Sequence, residues 1–462
     1  MTEYFDKEDY LDVTKKYSFN RAIIEDKYIA IQLPTQGNLN ETGDHVFSIP
    51  KGNKYVHIHK SYLHIEGEVL SSAAGNPPFT DADNITLINN AMMYLFSSAE
   101  YQLNGQQIEL INNPGQVTTV MNLLKKGNRF NDEDGLNMCW NKDTSTTADI
   151  NEFEQSVAAP GANYRPKRNI NYNKGFDARK RHLFNNISED AKKGKFSFNI
   201  DLRDIFGFCE SYIMLMYGLE HTLKFHRKDN GANALLRVGG VVDGIIKLSK
   251  FIWYIPNKKL SLQEEIIWQS RAVNNEMLSI SYNARISMHL PLIAGVGDQT
   301  SNLTASGGIE QPVWIIVALQ TDKSSTDQTK NKAIFNHCNL KDISADVNNT
   351  EYPGRVLNLD FSSNNYSDLY TMMLNFRKDY YGAADLDGGS QIDVKSFKDC
   401  YPISCIDIRK RDDISKQGPA ITTLNLKFAE GPPAGTYAFI IILSNRLNEV
   451  TANGELIRRI TK

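Results

Sequence analysis

The chain has 462 residues, of which 41% are hydrophobic and 23% are charged, and its formal net charge is −3. This length exceeds the roughly 250–300 residues at which a single hydrophobic core stops growing, so it predicts two domains or one large double domain. The charge argues against a mainly electrostatic nucleic-acid binder, and no run reaches the roughly 18–20 apolar residues that cross a membrane. The polar, acidic residues 1–12 do not resemble a signal peptide.

Short extended runs follow a polar arm at residues 1–27, which carries charges of both signs. Val, Ile, Tyr and Phe are enriched in these runs, and Gly, Pro and Asn lie between them, which is typical of a β-sandwich or barrel. The strands predicted in this part of the chain are 28–33, 45–49, 55–70 and 92–96.

Residues 127–174 are poor in periodic apolar residues and rich in Asn, Asp, Thr and Ala, so we expect a surface excursion there. The overlapping stretch 164–182 carries seven basic side chains against one acidic side chain. Because no base-stacking aromatics alternate with them, these cations favour a solvated loop or a contact with an acidic neighbouring subunit over nucleic acid. Together with the N-terminal arm, the candidate interface residues are Arg165, Lys167, Arg168, Arg179, Lys180 and Arg181.

The glycine-rich stretch 238–244 predicts a seam between two halves of the chain. Ser261 and Glu264 have the spacing of a capping box, so a short helix is expected after them. The strands predicted on the two sides of the seam are 196–202, 212–216 and 219–225, then 245–255, 278–292, 313–319, 424–428 and 437–443.

The same order of elements occurs twice along the chain. In each half, two short extended segments meet at an Asn-rich turn, Asn104-Gly105 or Asn348-Asn349, and a helix with one apolar face follows. Two similar tetrapeptides come later, Ile200-Asp201-Leu202-Arg203 and Ile406-Asp407-Ile408-Arg409, and the spacing gives the first half 43 additional residues between helix and tetrapeptide. We therefore predict two copies of one β-rich unit, the first enlarged by residues 127–174.

This repeat predicts an all-β fold of two tandem β-sandwiches, each with a short helix and long surface loops. We expect residues 1–27 to form an N-terminal arm, 28–243 the first sandwich and 244–462 the second. The five cysteines are odd in number and scattered, which favours free, mostly buried thiols in a reducing compartment.

His57 and His59 would share one face of a strand, and a His-x-His pair of this kind begins the metal site of cupin enzymes. The further Glu and His of that pattern are not found at the expected spacing, so a polar strand face is the alternative. No nucleophile elbow, His-Glu-x-x-His or Cys-x-x-Cys motif occurs in the chain. We expect no catalytic residues and no cofactor, and we interpret the chain as a scaffold rather than an enzyme.

Two tandem β-units, each with a helix after an early strand pair, resemble a double jelly-roll capsid protein. The sequence similarity is strongest in the second half of the chain, in the stretches 251–256, 312–322, 334–340, 357–362 and the helix at 366–381. It is similar to the major capsid proteins of Polinton-like and adintovirus-like elements of invertebrate genomes, well over 245–462 and in outline over 28–240.

The resemblance implies a homotrimer whose six jelly rolls form a pseudo-hexagonal capsomer of an icosahedral shell around double-stranded DNA. It implies a virion component, made in the host cytoplasm or nucleus, with penton or minor capsid proteins as partners and only indirect contact with packaged DNA. The alternatives are a cupin-like metal enzyme or a carbohydrate-binding protein on the same fold, or a host-retained capsid-like protein, since fold alone does not define function.

Overall fold

The computed structural model of this chain describes most of its residues. They are 22–33, 39–52, 54–154, 167–185, 187–274, 276, 278–303, 309–310, 312–322, 326–383, 389–410, 419–450 and 456–459. Two β-sandwiches follow one another in this part of the chain, with one contiguous cluster of buried apolar residues extending through both. None of the helices within these ranges is long and apolar enough to cross a membrane.

The first sandwich has a sheet ordered β8-β4-β12-β3-β9, with β1 also paired to β12, and a facing sheet ordered β2-β10-β6-β7. A short β5–β11 pair lies beside them. Its strands are β1 Ile23–Gln32, β2 Gly43–Ile49, β3 Tyr55–Val56, β4 Tyr62–Ser71, β5 Ile85–Leu87, β6 Phe96–Leu103, β7 Gln106–Asn112, β8 Lys195–Asp201, β9 Met216–Tyr217, β10 His221–Arg227, β11 Leu235–Arg237 and β12 Gly244–Leu260. Its helices are α1 Ala91–Tyr94, α2 Pro114–Lys125, α3 Lys174–Lys180, α4 Leu202–Ile205 and α5 Gly207–Ser211.

The second sandwich has a sheet ordered β13-β22-β16-β19, with β23 also paired to β22, and a facing sheet ordered β14-β21-β17-β18. Its strands are β13 Leu278–Pro291, β14 Asp298–Asn302, β15 Ile309–Glu310, β16 Pro312–Gln320, β17 Leu340–Val347, β18 Thr350–Tyr352, β19 Ile403–Asp407, β20 Pro419–Ala420, β21 Thr422–Phe428, β22 Tyr437–Val450 and β23 Leu456–Arg459. Helix α6, Leu262–Val273, precedes it, and α7, Ser367–Tyr381, and α8, Val394–Asp399, lie within it.

The two sandwiches share one topology. Eight strands of each sandwich correspond in chain order, and every pairing among these eight matches. They are β1, β2, β4, β6, β7, β8, β10 and β12 in the first sandwich, and β13, β14, β16, β17, β18, β19, β21 and β22 in the second. This is the eight-stranded jelly roll, in which two four-stranded antiparallel sheets face each other. The predicted all-β fold of two tandem jelly-roll sandwiches is confirmed.

The predicted repeat is also confirmed at its turns. Asn104 and Gly105 join β6 to β7 with φ of 49° and 74°, and Asn348 and Asn349 join β17 to β18 with φ of 49° and 65°. A two-residue hairpin turn of this kind requires positive φ at both central residues, which Asn and Gly adopt at least cost. Helices α2 and α7 follow these hairpins, and the two similar tetrapeptides lie at the ends of β8 and β19.

The burial of side chains along the strands shows which faces of the sheets are covered. In β10, every second residue from His221 to Arg227 is buried and the residues between are partly exposed. In β22, residues 438–444 are all buried, as expected of a central strand covered on both faces. Trp253 and Trp314, on β12 and β16, are among the largest buried side chains.

The pairing of β12 corrects the predicted boundary between the halves. We expected residues 245–255 to open the second sandwich, but β12 pairs with β1, β3 and β4 of the first. The apolar residues of β12 alternate in a way that fits the core of either sandwich. The sequence pattern alone therefore did not show to which sandwich β12 belongs. Strand pairing places 244–260 in the first sandwich, and we infer a boundary within 261–277. The predicted arm also overlaps β1, which begins at Ile23.

Local predictions fail at several places, including the predicted strand 55–70, which a helical turn at 58–60 interrupts. Residues 92–96 are mostly helical, because α1 covers Ala91–Tyr94, and 212–216 form a loop that ends in β9. The predicted excursion is not confined to the surface, since residues 139–143 within it are buried. Apolar and polar groups of these buried residues contact the second sandwich. Amino-acid composition does not reveal such a contact. All five cysteines are free, and all but Cys338 are buried, as predicted.

Candidate functional site

The two sandwiches meet in a junction where ionised side chains are buried. Glu109, on β7 of the first sandwich, is buried, and its carboxylate accepts hydrogen bonds from the backbone N–H of Gly207, Phe208 and Arg285 at 3.1, 2.9 and 2.9 Å. Burial raises the pKa of Glu109, although Arg285 and these three donors oppose the shift. One carboxylate therefore connects α5 to β13 across the junction.

A glycine allows this close approach. A Cβ atom added to Gly207, the first residue of α5, would lie 2.2 Å from the backbone oxygen of Asn283 on β13. Backbone cannot move aside as the end of a flexible side chain can, so any other residue would push the two sandwiches apart. The N–H of Asn283 also donates to the Ser211 hydroxyl at 3.1 Å.

Arg285 extends from the second sandwich into the first. Its guanidinium donates to the backbone oxygens of Asp204 and Ile205 at 3.0 and 2.8 Å, and to the Glu210 carboxylate at 2.7 Å. These carbonyls belong to the last turn of α4, where a cation satisfies acceptors that the helix leaves unpaired. Burial alone would lower the pKa of Arg285, but Glu210 raises it above its ordinary value.

Lys125 and Lys126, at the end of α2, complete this set. Lys125 contacts Asp204 at 2.9 Å and Glu210 at 2.7 Å, and Lys126 contacts Asp204 at 2.7 Å. Burial alone would raise the pKa of Asp204, but the two lysines lower it to about 2. We call Glu109, Lys125, Lys126, Asp204, Glu210 and Arg285 the junction network. Positive and negative groups alternate through it, so each buried charge has an opposite neighbour.

Further polar contacts extend the junction beyond this network. Arg377 of α7 donates to the backbone oxygen of Leu124 in α2 at 2.8 Å, so the corresponding helices of the two sandwiches are joined directly. Trp140, in the predicted excursion, donates to the Gln391 side chain at 3.1 Å. The side chain of Gln328 pairs with both backbone groups of Gly244 at 2.7 and 2.8 Å. The two sandwiches are therefore joined by polar contacts at several separate points.

The structure places the histidine pair in a turn rather than on a strand. β3 ends at Val56, and residues 58–60 form a short helical turn. The rings of His57 and His59 still lie side by side, with centroids 6.2 Å apart, and His59 Nδ1 is 3.0 Å from the Cys209 backbone oxygen. Among the described residues, no three His, Cys, Asp or Glu side chains gather into a possible metal site.

The candidate interface residues separate into exposed and buried groups. Lys167 and Arg168 are exposed and lie 3.1 and 3.5 Å from Glu154 and Glu152. Arg181, just after α3, is also exposed and pairs with Asp177 of α3 at 2.9 Å. Arg165 lies outside the described residues. Their role at an interface stays a prediction.

Arg179 and Lys180 are instead buried within the chain. Arg179 donates to the Leu87 backbone oxygen and the Asp143 carboxylate, each at 2.7 Å, and Lys180 to the Asn84 side chain at 2.6 Å. These contacts hold α3 against β5 and the buried part of the excursion. In this conformation the two side chains stabilise the fold of their own chain.

The junction network was missed by sequence reasoning. Its sequence signal is weak, because Arg285 occupies one of the polar positions of the alternating strand β13, and only Glu109 stands between apolar neighbours, Ile108 and Leu110. A polar position in an alternating strand ordinarily predicts exposure to solvent rather than a buried partner. The two lie 176 positions apart, so only the fold brings them together.

An open cleft of about 680 Å³ lies between the excursion and loops of the second sandwich. Its lining is mainly polar and mixes both charges, with Lys395, Lys398, Asp399 and Glu430 among its residues. His337, also on its wall, stacks on Phe361 with ring centroids 4.4 Å apart.

Several solved structures of viral proteins share this fold. A chain of the 3.5 Å cryo-EM structure of the Sputnik virophage is 10% identical, with a TM-score of 0.59 over 100% of this chain and 93% of that one. The mavirus major capsid protein is 11% identical, with a TM-score of 0.51 over 94% and 90%. A chain of the PBCV-1 virus capsid is 11% identical, with a TM-score of 0.52 over 97% and 100%. At these identities the likeness is one of fold.

No curated protein matches this chain in sequence. The double jelly roll-like domain family, however, matches residues 173–448, more than half of the chain. The matched region extends from just before α3 into β22, so it includes the junction residues Asp204, Glu210 and Arg285. The chain therefore belongs to the double jelly roll-like domain family, with the fold of the mavirus major capsid protein.

Proposed function

We propose that this chain is a major capsid protein whose copies form homotrimers, and that these trimers are the pseudo-hexagonal capsomers of an icosahedral shell around double-stranded DNA. The observation that carries the proposal is the doubled jelly roll, whose two sandwiches are joined by buried charged and polar contacts. One chain supplies two sandwiches of the same topology, and the junction network holds them at a fixed angle.

The symmetry of such a chain supports this function. Three copies around a three-fold axis present six similar sandwiches, so a trimer can occupy a nearly six-fold position in a closed lattice. A flexible connection would let the two sandwiches rotate independently. The trimers would then no longer present the regular contacts that a lattice requires. The buried Glu109–Arg285 contact and the helix contact through Arg377 prevent this rotation.

The shell would have further partners of its own. We propose penton or minor capsid proteins at positions that the trimer does not fill, and only indirect contact with packaged DNA. The chain would be a virion component, made in the host cytoplasm or nucleus, and it would carry no catalytic activity. The similarity to Polinton-like and adintovirus-like elements stays a prediction.

Sizing with light scattering, followed by electron microscopy at high protein concentration, tests the proposal. We expect a species of three times the 52.2 kDa chain mass, and at higher concentration hexagonal tiles or closed particles. A protein that stays monomeric at every salt concentration and pH, and forms no particles, would contradict it. A monomer that also takes up a divalent metal through His57 and His59 would favour the enzyme alternative.

A further inference from the structure

Helix α6, which connects the two sandwiches in the sequence, exposes apolar side chains. Leu262, Ile266 and Val273 are 72%, 57% and 82% exposed. At about 100° per residue these three positions lie within about 40° of one another around the helix, so they form one stripe. We call these three residues the α6 stripe. A surface helix ordinarily buries such a stripe in its own domain, so its exposure here points to a missing partner.

The other side of α6 makes the contacts to the first sandwich. Trp268 lies against Tyr55 of β3 with ring centroids 5.9 Å apart, and Glu264 and Glu265 are half-buried. The helix is therefore anchored by one aromatic ring and by its start, where the Ser261 hydroxyl accepts from the Glu264 N–H at 3.4 Å. These anchors leave the α6 stripe available to another segment.

The described chain begins beside this helix. The N–H of Ser261 donates to the backbone oxygen of Ala22 at 2.8 Å, and Ile23 pairs with Leu260. Residues 1–21 are therefore attached next to the first turn of α6. Ile23 and Ile24 are exposed there and extend the apolar surface toward that attachment point.

We propose that residues 1–21 dock along the α6 stripe. The stripe follows a twelve-residue helix about 18 Å long, a distance that about six extended residues cover. Attachment beside the helix gives the segment a high effective concentration at the stripe. The segment carries apolar side chains that can cover it, at Tyr4, Phe5, Tyr10, Leu11, Val13, Tyr17 and Phe19. The proposal does not depend on capsid assembly, since a monomer can make this contact.

Photo-crosslinking of the full chain tests the docking. Benzoylphenylalanine replaces Ile266 in one variant and Ile293 in a control, which is 66% exposed and lies beyond the far end of β13. Irradiation at position 266 should join it to a peptide from residues 1–21, in the same chain or a neighbouring copy, and irradiation at 293 should not. Crosslinks from position 266 to any other region, or none, would overturn the proposal.

Hydrogen exchange provides a second measurement. Exchange of the α6 amides should be at least about tenfold faster in a chain that lacks residues 2–21 than in the full chain. In the full chain, Ile266→Ser should also speed exchange, whereas Ile267→Ser, about 100° around the helix from the stripe, should change it much less. Equal exchange in the full and shortened chains would overturn the docking. It would leave the capsid proposal in place, because that proposal is tested by the trimer.

Discussion

Single residues decide how the two sandwiches are held together. Glu109 and Arg285 are buried where the sandwiches meet, Glu210 is partly exposed beside them, and each has a hydrogen-bond partner from the other sandwich. A buried ion pair adds little net stability compared with a well-packed apolar pair, but loss of one member leaves the other charged and unpaired. The junction network therefore favours one orientation over all others.

Arg285→Met should destabilise the protein by roughly 3–5 kcal/mol, because it removes the cation that binds the buried carbonyls of α4 and leaves Glu210 with Lys125 alone. Urea unfolding followed by circular dichroism measures the change. Arg355→Met is the matched control, since Arg355 is exposed and pairs with exposed Asp368 at 3.0 Å, and its cost should stay below about 1 kcal/mol. Similar losses of unfolding free energy in the two variants would show that the contacts of Arg285 contribute no more than an exposed ion pair.

The network also predicts a dependence on pH. The pKa of Asp204 is about 2 in the folded protein, below its ordinary value of 3.8, so the carboxylate is more acidic folded than unfolded. Its contribution, about 2 kcal/mol, is present above pH 4 and is lost as the pH falls from about 4 to about 2. Asp204→Asn should lower stability at pH 7 and flatten this acid decline.

The free energy of unfolding at pH 7, 4 and 2.5 provides the measurement for this variant. Asp368→Asn, which removes an exposed carboxylate, is the control and should leave the acid decline unchanged. If Asp204→Asn and the unsubstituted protein lose stability in parallel between pH 4 and 2, the assignment of this decline to Asp204 is wrong.

At the scale of elements, the hairpin and the helix that follows it form the repeated unit. In each sandwich the turn reverses the chain through two residues of positive φ, and the helix then packs at the junction. α2 and α7 meet there, with Arg377 of one donating to the last turn of the other. The repeat therefore supplies both the sheets and part of the contact between them.

Gly105→Ala should cost about 1 kcal/mol of unfolding free energy. The φ of Gly105 is 74°, while no atom lies within 4 Å of an added Cβ, so the cost comes from backbone conformation alone. Gly239→Ala is the control, because an added Cβ there also has open space and its φ is ordinary. Equal stability of the two variants in urea unfolding would contradict a positive-φ requirement at this turn.

At the scale of the whole molecule, the described residues form two similar sandwiches that are joined by many contacts. The buried apolar cluster is continuous through both, and the junction contacts involve strands, helices and the excursion. The two long strands β12 and β22 hold equivalent central places in their sheets. The capsomer proposed above depends on this pairing of two similar sandwiches in one chain.

The sequence by itself determined the repeated elements and the all-β fold. Asn-Gly and Asn-Asn turns, alternating strands and helices with a 3.6-residue period are local patterns, and each is formed by neighbouring residues. They predicted the hairpins at 104–105 and 348–349 and the helices after them, as the structure has them.

Only the tertiary structure decided which segments meet. β12 carries a pattern that suits either core, so its place in the first sandwich depends on the edges that β1, β3 and β4 offer. Glu109 and Arg285, like Trp140 and Gln391, lie far apart in the chain and became partners through long-range packing. A contact of this kind depends on complementary surfaces of two distant segments, and neither segment alone contains that information.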